Sequence, residues 1–539
     1  MIREGDRRMT ARLAFLALGF AVLSGCATLP PGSDAPKSVS VAIADPQTTG
    51  LGQKVARSAL QHPGVSGFRL LSAGVDGFLA RAQMANAAER TLDLQYFILR
   101  GDETGRLLAD AVQLAAARGV RVRVLIDDGE TVAGDEKIIA LNADPHIEVR
   151  IFNPFMYRGH VKLIRAFEFM LSSSRLDYRM HNKLFVADNA VALIGGRNIG
   201  DQYFQADPSS QFADDDVFAA GPIVKELSAT FDDYWNSAIA IPAEALAGGR
   251  SADAPSPEAR KASAQQPDPA KAKVIDDYSS RIALGEPLAG MLSETLPLVW
   301  APAQVICDSP DKKRVEKGWM VGRLMHRPVA KAVEAVQSEL LMTTPYLIPG
   351  QEGMQMFEDL RRRDVRVRIL TNSLESSTVL AAQAGYMRYR TPLLESGVEL
   401  YEVRSLLGDA RGSGQSAAMS SYGNFSLHAK LFVFDRKQLF IGSMNFDQRS
   451  MHLNTEIGLI IDSAALAQQM AARFDAMVRP VNAYTVALRP AGNGGGAPSL
   501  AWRTQEGAAT VDYATEPARS DVQRNEAKLL SLLPIDKEL

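Results

Sequence analysis

The sequence predicts an α/β protein made of two similar halves. Each half is a mixed sheet covered by helices, and one active site is assembled between them. Three observations predict this. His181-Asn182-Lys183, Asp188 and Gly195-Gly196-Arg197-Asn198 recur as His428-Ala429-Lys430, Asp435 and Gly442-Ser443-Met444-Asn445, so both copies read H-x-K-x4-D-x6-G-[GS]-x-N. Strand-like and helix-like segments flank each copy in the same order, offset by about 250 residues, as in a duplicated domain. Strands alternate with helices in both halves, which implies layered α/β packing.

The elements follow in order. Residues 91–99 alternate and carry Leu, Tyr, Phe and Ile, a strand pattern. Residues 104–118 have apolar positions at helical spacing and end at Gly119. Residues 120–126 (VRVRVLI) and 147–152 are strands. The second half repeats the order with a strand at 339–348, a helix at 351–363, and strands at 365–370 (VRVRIL) and 398–403. Each motif spans two strands. Residues 183–187 and 191–194 flank a turn at Asp188-Asn189, and residues 430–434 and 439–441 flank one at Asp435-Arg436. A two-residue period puts His181 and Lys183 on one strand face, and His428 and Lys430 likewise, aimed at the same ligand.

Chance is a weak explanation. The chain has 7 histidines, and the odds that a given one carries Lys at +2 and Asp at +7 are on the order of one in a few hundred. His160-Val161-Lys162 serves as a control: its +7 residue is Phe167, so His160 reads as a loop histidine.

At 539 residues the chain has room for two or three domains, and 46% hydrophobic with 22% charged residues is ordinary globular composition. A net charge of −3 argues against a nucleic-acid partner, which calls for a basic footprint. Of two cysteines, Cys26 lies in a processing signal, which leaves Cys307 as a free buried thiol.

That signal begins with Arg3, Arg7, Arg8 and Arg12, then an apolar run over 13–23, too short to span a bilayer comfortably. Leu23-Ser24-Gly25-Cys26 resembles the bacterial lipobox. The resemblance implies that Cys26 is lipidated, holding a periplasm-facing lipoprotein at the cell envelope. Ala27 resembles an outer-membrane sorting signal, with the inner membrane as the alternative. The expected divisions are a signal peptide at 1–25, a tether at 26–60, a first half at 61–242, a linker at 243–275, a second half at 276–490 and a C-terminal extension at 491–539. The extension reads as a strand pair and a terminal helix docked on the body, with a membrane contact as the alternative.

Chemistry at phosphorus suits these residues. One neutral imidazole attacks while the other, as imidazolium, protonates the leaving oxygen. Lys183 and Lys430 clamp non-bridging oxygens, and Asn198 and Asn445 add hydrogen bonds. Two ammonium groups do the work of a divalent metal, and no metal-ligand spacing is present, so neither metal nor cofactor is expected. A carboxylate on the second ring nitrogen sets each tautomer. Glu456 is the candidate in the second half. Asp214, Asp215 and Asp216 lie at the matching place in the first, with Asp216, just before Val217-Phe218, the best match. Asp188 and Asp435 are read either as turn pins or as catalytic groups.

The two motif copies resemble the signature of the phospholipase D superfamily, and the resemblance covers residues 66 to about 480. It implies phospholipase D-like α/β/α sandwich halves related by a pseudo-two-fold axis, with a phosphohistidine formed on one histidine. His181 is taken as nucleophile and His428 as acid. Met180 to Phe185, Gly195 to Asp201, Ser426 to Lys430 and Asn445 to Ser450 are similar to C-type bacterial cardiolipin synthases. So is the Leu529-Leu530-Ser531-Leu532-Leu533-Pro534 tail. That implies transfer of a phosphatidyl group to an alcohol of phosphatidylglycerol or a related lipid. A phospholipase D or nuclease, in which water resolves the same intermediate, and a non-catalytic lipid-binding lipoprotein are the rivals.

Overall fold

The computed structural model describes residues 29–129, 141–159, 161–207, 209–246, 269–285, 287–293, 295–407, 425–490 and 498–533. Cys26 and its signal, His160, most of the linker and the Gly-rich break at 492–498 lie outside the described residues, Pro498 excepted.

Each half is built on one mixed sheet. The first runs Val299–Ala301, Ser66–Leu71, Asp216–Ala220, Val191–Gly195, Leu184–Ala187, Thr91–Tyr96, Arg121–Asp127, Ile147–Phe152, Ala240–Pro242. The second runs Ala303–Cys307, Ile457–Asp462, Gln438–Gly442, Leu431–Phe434, Glu339–Thr343, Arg366–Asn372, Glu399–Val403, Ala483–Arg489, Ser499–Glu506, Ala509–Tyr513. The central strands follow one order in both, which is the duplication read from the sequence.

Both faces of each sheet are covered, so the central strands read as near-continuous apolar runs. Helices Gly74–Ala87 and Glu103–Ala117 cover the outer face of the first sheet. Val329, Val333, Phe357 and Leu360, from helices His326–Glu334 and Gly350–Arg362, join the outer core of the second. Between the sheets lies one shared core. Leu227, Phe231 and Trp235 of helix Ile223–Trp235 meet Leu466, Met470 and Phe474 of helix Ala464–Met477, with Val186 and Ile194 from one sheet and Val433 and Ile441 from the other. Burying this area continuously makes the halves one body.

The boundaries differ from expectation in two places. The second half does not begin at 276: Val299–Ala301 pairs with Ser66–Leu71 in the first sheet, and Tyr278, Leu288 and Met291 join the first core. The division falls at Pro302. The expected tether is fastened from Lys37 onward. Buried Arg150 and Arg123 donate to Ser38 O (2.7 Å) and Ser40 O (2.8 Å), and Leu51 and Val55 of helix Gly50–Ala59 enter the core. The C-terminal helix Asp521–Leu530 docks on the body through Gln523 Nε2 to Leu374 O (2.8 Å), while Arg388 Nε holds Ser531 O just beyond it at 2.7 Å.

Candidate active site

The motif hairpins set the site. Asp188 and Asn189 have φ of 53° and 49°, Asp435 and Arg436 have 52° and 54°, and Ala190 N and Lys437 N close the turns at 3.0 Å. Asp188, Asn189 and Asp435 are short polar residues that tolerate this left-handed region, Arg436 is held there by the turn, and two positive φ values give the twist that hairpins need. At the opposite end of each hairpin the histidine precedes the regular strand. Leu184–Ala187 and Leu431–Phe434 begin after Lys183 and Lys430, so the expected strands are shorter at that end.

The halves cross at the histidines. His181 N donates to Thr455 O (2.9 Å), and His428 N donates to Ala213 O (2.8 Å). Phe425–Leu427 pairs in parallel with Gln211–Ala213, and Met180 bridges Thr455. Each imidazole then takes its carboxylate from the other half. His181 Nδ1 lies 2.9 Å from Glu456 Oε2, and His428 Nδ1 lies 2.6 Å from Asp214 Oδ2. With Nδ1–H donated to a carboxylate, Nε2 is the ring atom left for chemistry.

Asp216 is therefore a correction. Its Oδ2 is 2.7 Å from Arg81 and 3.1 Å from Arg197, all three buried, and it bonds neither imidazole. Sheet register explains the difference. Gly195 pairs with Asp216 as Gly442 pairs with Gly458, so the counterpart of Glu456 is Asp214, two residues earlier. Gly196 supports this place: a Cβ there would sit 2.2 Å from Asp214 Oδ1. At the equivalent Ser443, the hydroxyl donates to Glu456 Oε2.

Asp188 and Asp435 also depart from a catalytic role. Asp188 Oδ1 accepts from Arg90 N (2.8 Å) and Thr91 N (2.9 Å), and Oδ2 accepts from Glu89 N (3.0 Å). Asp435 does the same for Ser338 N (2.7 Å), Glu339 N (3.0 Å) and Gln337 N (3.0 Å). Each pins its hairpin to the neighbouring strand of its own half, a strand length away from the histidine.

The lysines and asparagines are not equivalent pairs. Lys183 Nζ donates to His181 O (2.5 Å) and lies 5.5 Å from the Phe97 ring centre, while Lys430 Nζ donates to His428 O. Asn198 is held inside the protein, donating to Tyr203 Oη (3.0 Å) and accepting from Ile98 N (3.1 Å). Asn445 Oδ1 is buried with no partner among the described residues, as is Asn182 Nδ2. Such orphans suit a polar ligand. Asn182 went unnoticed in the sequence. Its Oδ1 accepts from Thr455 Oγ1 (2.8 Å), a bond between halves that no local pattern announces.

Burial controls the charges. It pushes His181 well below the ordinary imidazole range, with Lys183 and Lys430 adding to the effect. Burial and then Lys430 bring His428 down to about 3. Burial raises Glu456 to about 7. Asp214 is different. Burial would raise it, but His428, Lys430 and Arg197 hold it down at about 2. Both imidazoles are thus neutral without an anion present. A phosphate between the lysines offsets their charge and lets an imidazole ionise.

Burial brings Lys430 down to about 8. A lowered lysine is charged below that value and neutral above it. kcat/KM, which follows the free enzyme, is expected to fall as pH rises through about 8. Burial also lowers Lys183, so Lys430→Arg alone should leave an alkaline limb carried by Lys183, and a wild-type profile flat to high pH would contradict the clamp.

Two sheet-based halves, paired H-x-K motifs and exchanged carboxylates define a phospholipase D-type site. The family described as cardiolipin synthase, PLD-like domain, matches residues 82–235 and 329–478. The chain is 36% identical over 482 residues to cardiolipin synthase C of Escherichia coli K12, covering 88% of this chain and 97% of that protein. It is 30% identical over 470 residues to an uncharacterized Helicobacter pylori protein, covering 85% and 88%. The crystal structure of phosphatidylserine synthase from Haemophilus influenzae Rd KW20 superimposes with a TM-score of 0.50 at 13% identity, over 80% of this chain and 92% of that one, which shows a shared fold. The chain belongs to the phospholipase D superfamily, in the cardiolipin synthase PLD-like family. It is a phosphatidyltransferase-type enzyme.

Proposed function

We propose that this protein makes cardiolipin or a closely related lipid from phosphatidylglycerol or a similar phospholipid, through a phosphohistidine. The observation that carries the mechanism is the exchange of carboxylates: each half supplies the group that orients the other half's histidine. His181 Nε2 attacks the donor phosphorus. The P–N bond forms as the P–O bond to the leaving alcohol breaks, and His428 gives that oxygen its proton. An acceptor alcohol then attacks phosphorus, His428 takes back a proton, and the P–N bond breaks. The unequal carboxylates support this order. Asp214 is held ionised, a ready counter-ion for a His428 imidazolium once phosphate offsets the lysines, whereas burial raises Glu456 beside His181.

Lys183 and Lys430 supply the positive charge on the phosphate. Lipidation at Cys26 would hold the enzyme at the envelope membrane facing the periplasm, in the outer membrane by its sorting residue. No helix among the described residues is long and apolar enough to cross a membrane.

The test is the product formed from labelled phosphatidylglycerol, with and without EDTA. Cardiolipin at the same rate in both is expected. Phosphatidic acid as sole product would make the enzyme a hydrolase instead.

A further inference from the structure

The helix Lys162–Leu171 is turned inside out. Leu163, Ile164, Phe167, Met170 and Leu171 form one stripe and are all exposed, Leu163 at 79% and Met170 at 64%. Arg165 and Glu168 face the protein instead. Arg165 donates to Asp128 O (2.5 Å) and lies 3.9 Å from the Phe155 ring centre, and Glu168 accepts from Met156 N (2.7 Å) and Tyr157 N (2.9 Å). A surface helix of a globular protein ordinarily does the reverse.

A second exposed apolar group adjoins it. Trp319 is 68% and Val321 99% exposed, with Met320 between them. They follow helix Lys312–Glu316, whose Lys313 donates to Ser174 O and lines an open cleft with Phe169 and Met170. Residues 311–317 carry four cations against two carboxylates, and Arg314 and Lys317 are exposed. Lys317 Nζ sits 4.5 Å from the Trp319 ring centre.

Both groups are fastened beside the reacting pair. Asp127, next to the Asp128 that holds Arg165, accepts from Met180 N at 2.8 Å, one residue before His181. Asp308, which binds Lys312 at 3.0 Å, accepts from Glu456 N at 2.9 Å.

We propose that Lys162–Leu171 and residues 319–321 form the face that the enzyme lays on an anionic phospholipid surface, beside the active-site mouth. Apolar side chains enter the acyl boundary, while Arg314 and Lys317 meet the phosphates. Such a face lets a lipid headgroup reach the histidines without its chains crossing water. This rests on the reading of the substrate as a membrane lipid.

The experiment uses the full chain with Cys26→Ser, which removes both the lipid anchor and a competing thiol, and Met170→Cys carrying an environment-sensitive dye; Cys307 is buried and remains unlabelled in the native protein. Phosphatidylglycerol–phosphatidylcholine vesicles should shift the emission to the blue, and brominated acyl chains should quench it. Phosphatidylcholine alone should do so at least fivefold more weakly. The triple variant Leu163→Ser, Phe167→Ser, Met170→Ser should lose at least about tenfold in rate on vesicles. Its rate on a short-chain, water-soluble phospholipid should stay unchanged. A dye that stays silent while the protein sediments with vesicles overturns the proposal, and so does an equal loss of both rates. Dye insertion, with a wild-type protein that makes no lipid product, would leave this face standing and remove the transferase reading.

Discussion

Asp214→Asn is expected to lower kcat per folded molecule by about 10²–10⁴-fold, by analogy with orienting carboxylates in other nucleophile–histidine sites. Asparagine can keep a hydrogen bond to His428 Nδ1, but it cannot balance an imidazolium. His428 is buried and lies beside Lys430, so without the Asp214 charge its protonated form has no counter-ion. The step that protonates the leaving oxygen is then the one that fails. Asp216→Asn should behave in the opposite way. It leaves the buried guanidinium groups of Arg81 and Arg197 without their shared carboxylate, and breaking a buried pair in this way costs about 3–5 kcal/mol. The measurement is kcat per folded molecule alongside a denaturant melt for both variants. If Asp216→Asn removed turnover at unchanged stability while Asp214→Asn did not, the register argument would be wrong.

Asp188→Ala is expected to weaken the fold, not the chemistry. Three backbone N–H groups, of Glu89, Arg90 and Thr91, lose their acceptor, Thr91 at a buried position and the other two where water has partial access. A buried orphan costs about 1–3 kcal/mol, so a loss of at least that size follows. Asp435→Ala should cost less. It makes the equivalent bonds around residues 337–339, but at a partly exposed site where water can replace the acceptor. Urea melts give the stability, and kcat corrected for folded fraction should remain within a few-fold of wild type. A folded Asp188→Ala protein with no turnover would restore the carboxylate to the chemistry.

Much of the site was legible because its parts are local in sequence. A histidine, a lysine two residues on and an asparagine in the same hairpin travel together, and their repetition at one offset shows without a structure. Glu456 was legible because it immediately precedes an apolar strand. Asp216 misled for the same reason: it also precedes an apolar run, and three consecutive aspartates offer no local way to choose. The choice depends on which residue stands opposite Gly195 in the neighbouring strand, a fact of pairing. The tether was misjudged on composition, since its polar backbone is bound by arginines distant in sequence.

The sequence by itself determined the duplicated α/β halves, the two histidines and lysines, and the class of chemistry, because each is carried by short-range periodicity and spacing. Only the tertiary structure decided which carboxylate serves which histidine, that the motif aspartates are pins, and where the halves divide. Those outcomes depend on strand register and on contacts between residues hundreds of positions apart. There, burial and charge act through space and leave no trace along the chain.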